Sequence, residues 1–345
     1  MATRHKYGSG ALLVKVKGKL VKSAALAALV ILLFLLPLFV KQPYYIHVFI
    51  VTLLYIIVVS SLRTIALSGQ LSVGHAAFMG VGAYFSAVVA KELGWTPWFT
   101  IPLGGLAAMF AAVLIGYPFT RVRAIYFSMV SLFGGIAIVN IIRVAQKWTG
   151  AAGLSDIPPL SPINIPGLHN IVFLGQKVPY YYFTLLLTLF SLLVLYRVEH
   201  CRIGMTWKSI AQSHLVASSV GVNEGGFRVL AFAVGCFFAG IAGASYAHYN
   251  LVLTPGTFSF LPSIFLVMYM LVGGSGSFAG PIIGTAVLVI VPELFRSLKE
   301  FSPLILGAIM VMVVFLMPQG IAGSVEQAKS MFRQPRQREV HRSVT

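Results

Sequence analysis

The sequence predicts an all-α, polytopic transmembrane bundle of about ten spans with both termini cytoplasmic. Three observations predict it. Hydrophobic residues make up 58% of the 345 positions and charged residues 10%, against about 25% charged in a soluble domain. Mean hydropathy is +0.90, so most of the surface must face lipid rather than water. The basic residues fall in the gaps between apolar runs and in the two tails, which is how membrane proteins set their orientation.

Ten apolar runs bounded by charge, Pro or Gly place the spans at 24–40, 44–66, 73–91, 98–119, 124–142, 180–197, 227–250, 260–274, 280–296 and 303–318. A basic segment, 1–23, comes first. The run that follows has no small-residue cleavage site before Pro37 and Lys41, so it reads as a retained span rather than a signal peptide. The eighth run is short and ends at Gly273-Gly274-Ser275-Gly276-Ser277. A broken or re-entrant helix is expected there, a form tolerated only inside protein. The membrane domain then covers 24–320, and 321–345 is a basic tail.

With the N-terminus inside, 18 Lys and Arg face the cytoplasm, Arg63, Arg121 and Arg123 among them, and 7 face outward. That bias supports two cytoplasmic tails. A net charge of +17 therefore reflects orientation and predicts lipid contact but no nucleic-acid partner. The acids are expected in loops or tails, except Glu293 near a span end. Ion-coupled carriers usually keep ionisable residues at membrane depth, so the energy source is expected in a separate subunit.

Two loops are long. The outer one, 143–179, is rich in Pro, Gly and Asn and is expected to pack over the outer mouth. The inner one, 198–226, carries a stretch from Gly204 to Val220 that reads as one short amphipathic helix. Trp207, Ile210, Ala211, His214, Ala217 and Val220 recur at helical spacing, and Gly221 is placed as the C′ residue that ends it. Such a helix lies on the membrane or docks a partner.

The third span opens on Ser68-Gly69-Gln70-Leu71-Ser72-Val73-Gly74-His75. Its glycines permit close packing or an unwound start, and His75 reads as a packed histidine or a ligand contact. In the seventh span Ala231, Gly235, Ala239, Gly243 and Ala247 repeat every four residues. This small-residue seam marks a neighbouring helix or a partner subunit. Cys201 and Cys236 have neither disulfide-framework nor metal-ligand spacing. The Gly273–Pro281 stretch lacks the Lys and Ser/Thr of a phosphate-binding loop and reads as a tight turn. With no metal cluster, nucleophile elbow or paired carboxylates at membrane depth, neither enzyme chemistry nor a cofactor is expected.

Ordered motifs then show a resemblance. The string Ser68 to Phe78 resembles a hallmark of the branched-chain amino-acid ABC importer permeases of the LivM type. So do Arg121 to Phe127 with Thr149-Gly150, Gly153-Leu154 and Ile157-Pro158. Further along, so do Pro255, Phe258 and Ser263-Ile264, then Gly273 to Ser277 with Gly280-Pro281 and Gly284, and finally Pro318-Gln319-Gly320-Ile321. The resemblance runs in order over about residues 44–323.

That resemblance implies a multi-pass permease of the bacterial inner membrane. It implies a second homologous permease subunit, two cytoplasmic ATPase subunits and an extracytoplasmic solute-binding protein. Gly204, Trp207, Ala217, Gly221, Val222 and Asn223 are the matching positions of the segment that couples to the ATPase. Gln70, His75, Tyr126 and Thr149 are candidates for the solute route. The sequence departs from the pattern where Ala211-Gln212-Ser213-His214 replaces a charged stretch. Ala124, Ser131 and Asp156 stand where Gly, Thr and Gly are common. The cargo stays open among branched-chain amino acids, urea or short amides, and aromatic acids. A stand-alone secondary carrier or channel is the rival reading.

Overall fold

The computed structural model describes residues 27–28, 30–40, 42–119, 124–145, 153–162, 173 and 175–294, together with 307, 312, 320, 321 and 323. Among them the regular structure is helical, apart from one isolated antiparallel bridge between Leu154 and Leu253. The chain divides into an N-terminal unit, 1–47, and a main unit, 48–345. The first unit holds the apolar helix α1 (Val30–Phe39) and the start of α2 (Pro43–Ala66).

The main unit continues with α3 (His75–Glu92), α4 (Pro97–Phe119), α5 (Ala124–Val144) and α6 (Lys177–His200). Two short helices follow, α7 (Arg202–Gln212) and α8 (His214–Ser219), then the long α9 (Glu224–Asn250). A 3-10 turn (Pro255–Phe258) leads into α10 (Phe260–Gly273) and α11 (Ala279–Leu294). Helices thus occupy nine of the ten expected apolar runs. The tenth, 303–318, lies outside the described residues apart from two single positions. Among the described residues, five helices are long and apolar enough to cross a membrane: those over Pro43–Ala66, Pro97–Pro118, Tyr126–Val144, Lys177–His200 and Glu224–Asn250. At 1.5 Å per residue α10 is only about 21 Å long, shorter than a hydrocarbon core of about 30 Å.

Helix ends follow local chemistry. Pro97 opens α4 where its missing N–H costs nothing. Asn223 caps α9, its Oδ1 accepting from Gly226 N–H at 3.2 Å, and Glu224 sits in the positive first turn. Leu251 ends α9 in the left-handed region.

Helices α3, α4 and α9 pack against one another and form the core of the main unit. Small residues make this contact. A Cβ on Gly240 would stand 2.8 Å from the Gly104 carbonyl oxygen. One on Gly82 would collide with the Gly240 backbone, so only glycine fits where these helices cross. The seam of α9 is buried within the chain. Gly235 faces Ile65 and Ser61 of α2, and Gly243 faces Met79 of α3. Of the two neighbours expected for it, the internal helices hold the place and a partner subunit does not.

At the ends of α3, α4, α6 and α9 the described part of the long loop, 153–162, is firmly held. Leu154 and Leu253 exchange backbone hydrogen bonds of 2.9 and 2.8 Å, and Ile157 N–H donates to Leu251. Tyr180 Oη accepts from Leu160 N–H and donates to the His248 carbonyl. Lys91 donates to the Ser155 carbonyl and Trp98 to that of Ser161.

Candidate functional site

Two places concentrate the candidate residues. The first is the stretch 67–74, which is not helical and lies between α2 and α3. Helix α5 braces it: Ser131 Oγ accepts from Val73 N–H at 3.1 Å, and Ser128 Oγ donates to the Leu71 carbonyl at 2.8 Å.

Gln70 and His75 are both buried here. Ser61 Oγ donates to the Val58 carbonyl at 2.8 Å and lies 3.0 Å from His75 Nε2. With the hydroxyl proton engaged, the Nε2–H of the ring is the donor to Ser61 and Nδ1 is left as a bare acceptor. Among the described residues, His75 Nδ1, both polar atoms of the Gln70 amide and Ser72 Oγ have no partner. Leaving such groups unsatisfied in a buried place costs about 1–3 kcal/mol each. These four unpartnered atoms fall between residues 70 and 75, at the unwound entry to α3. Tyr126, on α5, is 62% exposed and is not gathered with them. Thr149 lies outside the described residues, as do Arg121 and Arg123.

The second place is the elbow formed by α7 and α8. The expected single helix from Gly204 to Val220 is two helices. Ser213 is extended (φ −157°, ψ 107°). Its N–H closes α7 on the Ser209 carbonyl, and its hydroxyl accepts from Val216 N–H to start α8. A serine that can cap the next helix competes with continuation of the first. The break leaves Ala211, His214 and Val220 exposed, while Trp207, Ile210 and Ala217 are buried.

Trp207 anchors the elbow. It is fully buried and its indole N–H donates to the Phe227 carbonyl on α9 at 2.8 Å. Gly204 lies against the Glu199 carbonyl, with no room for a Cβ. At the other end Gly221 has φ +83°. Its N–H donates to the Ser218 carbonyl and that of Val222 to Ala217, the paired bonds of a Schellman turn. Gly221 is thus the C′ residue expected from the sequence, although of a shorter helix. Asn223 caps α9, and Val222 lines a groove.

That groove, about 550 Å³ in volume, runs along the outer side of the elbow. Met205, Ser209, Gln212, Val216 and Val220 contribute to its walls, and Met205, Val216 and Val220 are exposed. Of the positions the resemblance selected, Ala217 and Val222 line this groove, and the exposed Met205 and Val216 beside them were not among those selected. Their signal was present, since they are the positions of α7 and α8 left over once the buried set is removed.

Glu199 and Arg63 depart from expectation. Glu199, assigned to a loop, lies in the last turn of α6 and is 5% exposed. Arg63, counted with the orientation charges, is 3% exposed in the last turn of α2. They form a bidentate pair of 2.6 and 3.1 Å. Both charges escape lipid because each satisfies the other.

Long apolar helices, a buried polar unwound segment and a grooved amphipathic elbow define a class, the membrane transport permeases. Residues 44–314 match the family described as branched-chain amino acid transport system / permease component, and the chain belongs to it. The high-affinity branched-chain amino acid transport system permease protein LivM of Salmonella typhimurium is 29% identical over 339 residues, covering 93% of this chain and 80% of the relative. LivM of Escherichia coli (strain K12) is 30% identical over 288 residues, 78% of this chain and 68% of the relative. The permease protein LivH of Salmonella typhimurium is more distant, 23% identical over 276 residues, 76% and 88% of the two chains. No solved structure matches the chain. The chain is a multi-pass membrane protein and a permease subunit of the ABC importer class.

Proposed function

We propose that this chain is one of two permease subunits in a binding-protein-dependent importer of the bacterial inner membrane. Its cargo is a branched-chain amino acid or a related small polar or carboxylate solute, as the names of its relatives suggest. Two ATPase subunits on the cytoplasmic side supply the energy. About ten spans place both tails, 1–23 and 321–345, on that side.

The observation that carries the reading is the elbow. A fully buried tryptophan fixes two amphipathic helices that leave a grooved, partly apolar face open. An ATPase surface docked there pushes on α7 and α8, and Trp207 carries the push to α9 and Gly204 to the end of α6. The solute passes between the two permeases along a route that includes Gln70 and His75, whose unpartnered polar atoms support the assignment. Tyr126 belongs to the inner part of the same reading, and Thr149 with the packed 153–162 loop to the outer part.

Replacement of Val216 by Glu tests the docking. Val216 is exposed, so the fold should survive. The ATPase retained by the purified permease pair is expected to fall, and ATP-driven uptake with it. Normal retention and normal uptake would overturn the docking role. Uptake by this chain alone in liposomes would favour a carrier or channel instead. Screening solutes against the cognate binding protein identifies the cargo.

A further inference from the structure

Neither the solute route nor the docking face uses the Arg63–Glu199 pair, yet it joins three parts of the chain. Arg63 Nη1 and Nη2 hold the two oxygens of Glu199 at 2.6 and 3.1 Å. On its other edge, Nε donates to the Ser275 carbonyl at 2.9 Å, in the turn between α10 and α11. The guanidinium also lies 5.8 Å from the ring centre of Phe278 in that turn. Glu199 for its part touches the elbow twice. Lys208 of α7 bonds its Oε1 at 2.9 Å, and Gly204 presses on its carbonyl.

A guanidinium is a flat, rigid fork with its donors in fixed directions. It cannot follow a displaced Glu199 without turning Nε away from Ser275 or carrying the turn along. A buried ion pair is weak grounds for stability, because apolar replacement is often neutral. What this one supplies is a linkage between α2, α6 and the turn before α11. Lys208, 43% exposed at its side chain, is a second cation able to keep the carboxylate paired if Arg63 lets go.

We propose that Arg63 is a positioning residue for coupling: it ties the base of the elbow, at Glu199, to the 274–278 turn, so that displacement of α7–α8 moves the α10–α11 hairpin. The proposal rests on the reading of the elbow as the ATPase-docking element. It adds residues outside the coupling segment itself.

The test uses the complete importer in proteoliposomes, with both permeases, the ATPases and the binding protein, and reads solute moved per ATP hydrolysed. Arg63→Lys keeps the charge but cannot serve both Glu199 oxygens and Ser275 together. Glu199→Gln keeps the shape and removes the charge. In each, uptake per ATP should fall at least about fivefold, the lower end of coupling between linked sites. ATPase subunits should stay bound, and binding-protein-stimulated hydrolysis should persist.

Where a single change prevents folding, the double variant Arg63→Met/Glu199→Met leaves no unpaired buried charge and is read in its place. An unchanged ratio in an assembled variant overturns the proposal. So does a proportional fall of uptake and hydrolysis, since that reflects less working protein rather than lost coupling. Failure of the docking reading is visible separately, as ATPase retention in the Val216→Glu preparation.

Discussion

The α3–α4–α9 core and the α6–α8 elbow are both well packed, by opposite means. In the core, glycines and alanines bring backbones together, and Gly82, Gly104 and Gly240 meet where no side chain fits. In the elbow, one large indole and the Lys208–Glu199 ion pair hold α7 to its neighbours. Backbone-to-backbone contact has one geometry and no alternative partners, so it makes a rigid body. An anchor plus exchangeable hydrogen bonds makes an element that can be displaced as a unit. The difference separates a core closed by backbone contact from an elbow held by side chains.

The strongest way to break this contrast is to overfill the core. Gly240→Leu inserts a side chain against the backbone of α4 and is expected to cost more than about 3 kcal/mol, the upper range for overpacking. Thermal unfolding in detergent should show a large loss of folded protein. The elbow should respond differently. Trp207→Ala removes a buried indole and its hydrogen bond, with a local cost of about 3–5 kcal/mol. Hydrogen exchange is expected to speed up across 202–222 while α3, α4 and α9 keep their protection. If the core amides lose protection as well, elbow and core are one cooperative unit.

Smaller effects sharpen the same contrast at the turns. Gly221→Ala places a Cβ at φ +83° and should cost about 1–2 kcal/mol, again read as faster exchange in α8 alone. Asp156 sits in the left-handed region, at φ +58°, where Gly carries no steric penalty. Asp156→Gly should raise stability by less than about 1 kcal/mol, because Asp tolerates the left-handed region better than most residues. A small rise in unfolding temperature would register it.

Much of this architecture was legible in the sequence. Apolar run length and flanking charge located helices such as α4, α6 and α9 within three residues. The four-residue seam of α9 and the Gly221 stop signal were equally readable, since both depend on local spacing. The break at Ser213 was harder. A serine between two amphipathic stretches caps a new helix or continues the old one, and packing of Trp207 and Ala217 decides which. Glu199 and Arg63, 136 positions apart, gave no local signal of their pairing. Gln70 and His75 stood out by motif, while the missing partners of their polar atoms emerged only from the packing around them.

By itself the sequence determined an all-helical membrane chain and the ordered motifs of its family. Lipid allows few solutions to backbone hydrogen bonding, and helix-length apolar runs express them directly. Only the tertiary structure decided which faces are internal. It turned the α9 seam toward α2 and α3, left the elbow groove open, and brought Arg63, Glu199 and Ser275 together. Those outcomes depend on contacts between distant segments, whose geometry no local pattern of residues encodes.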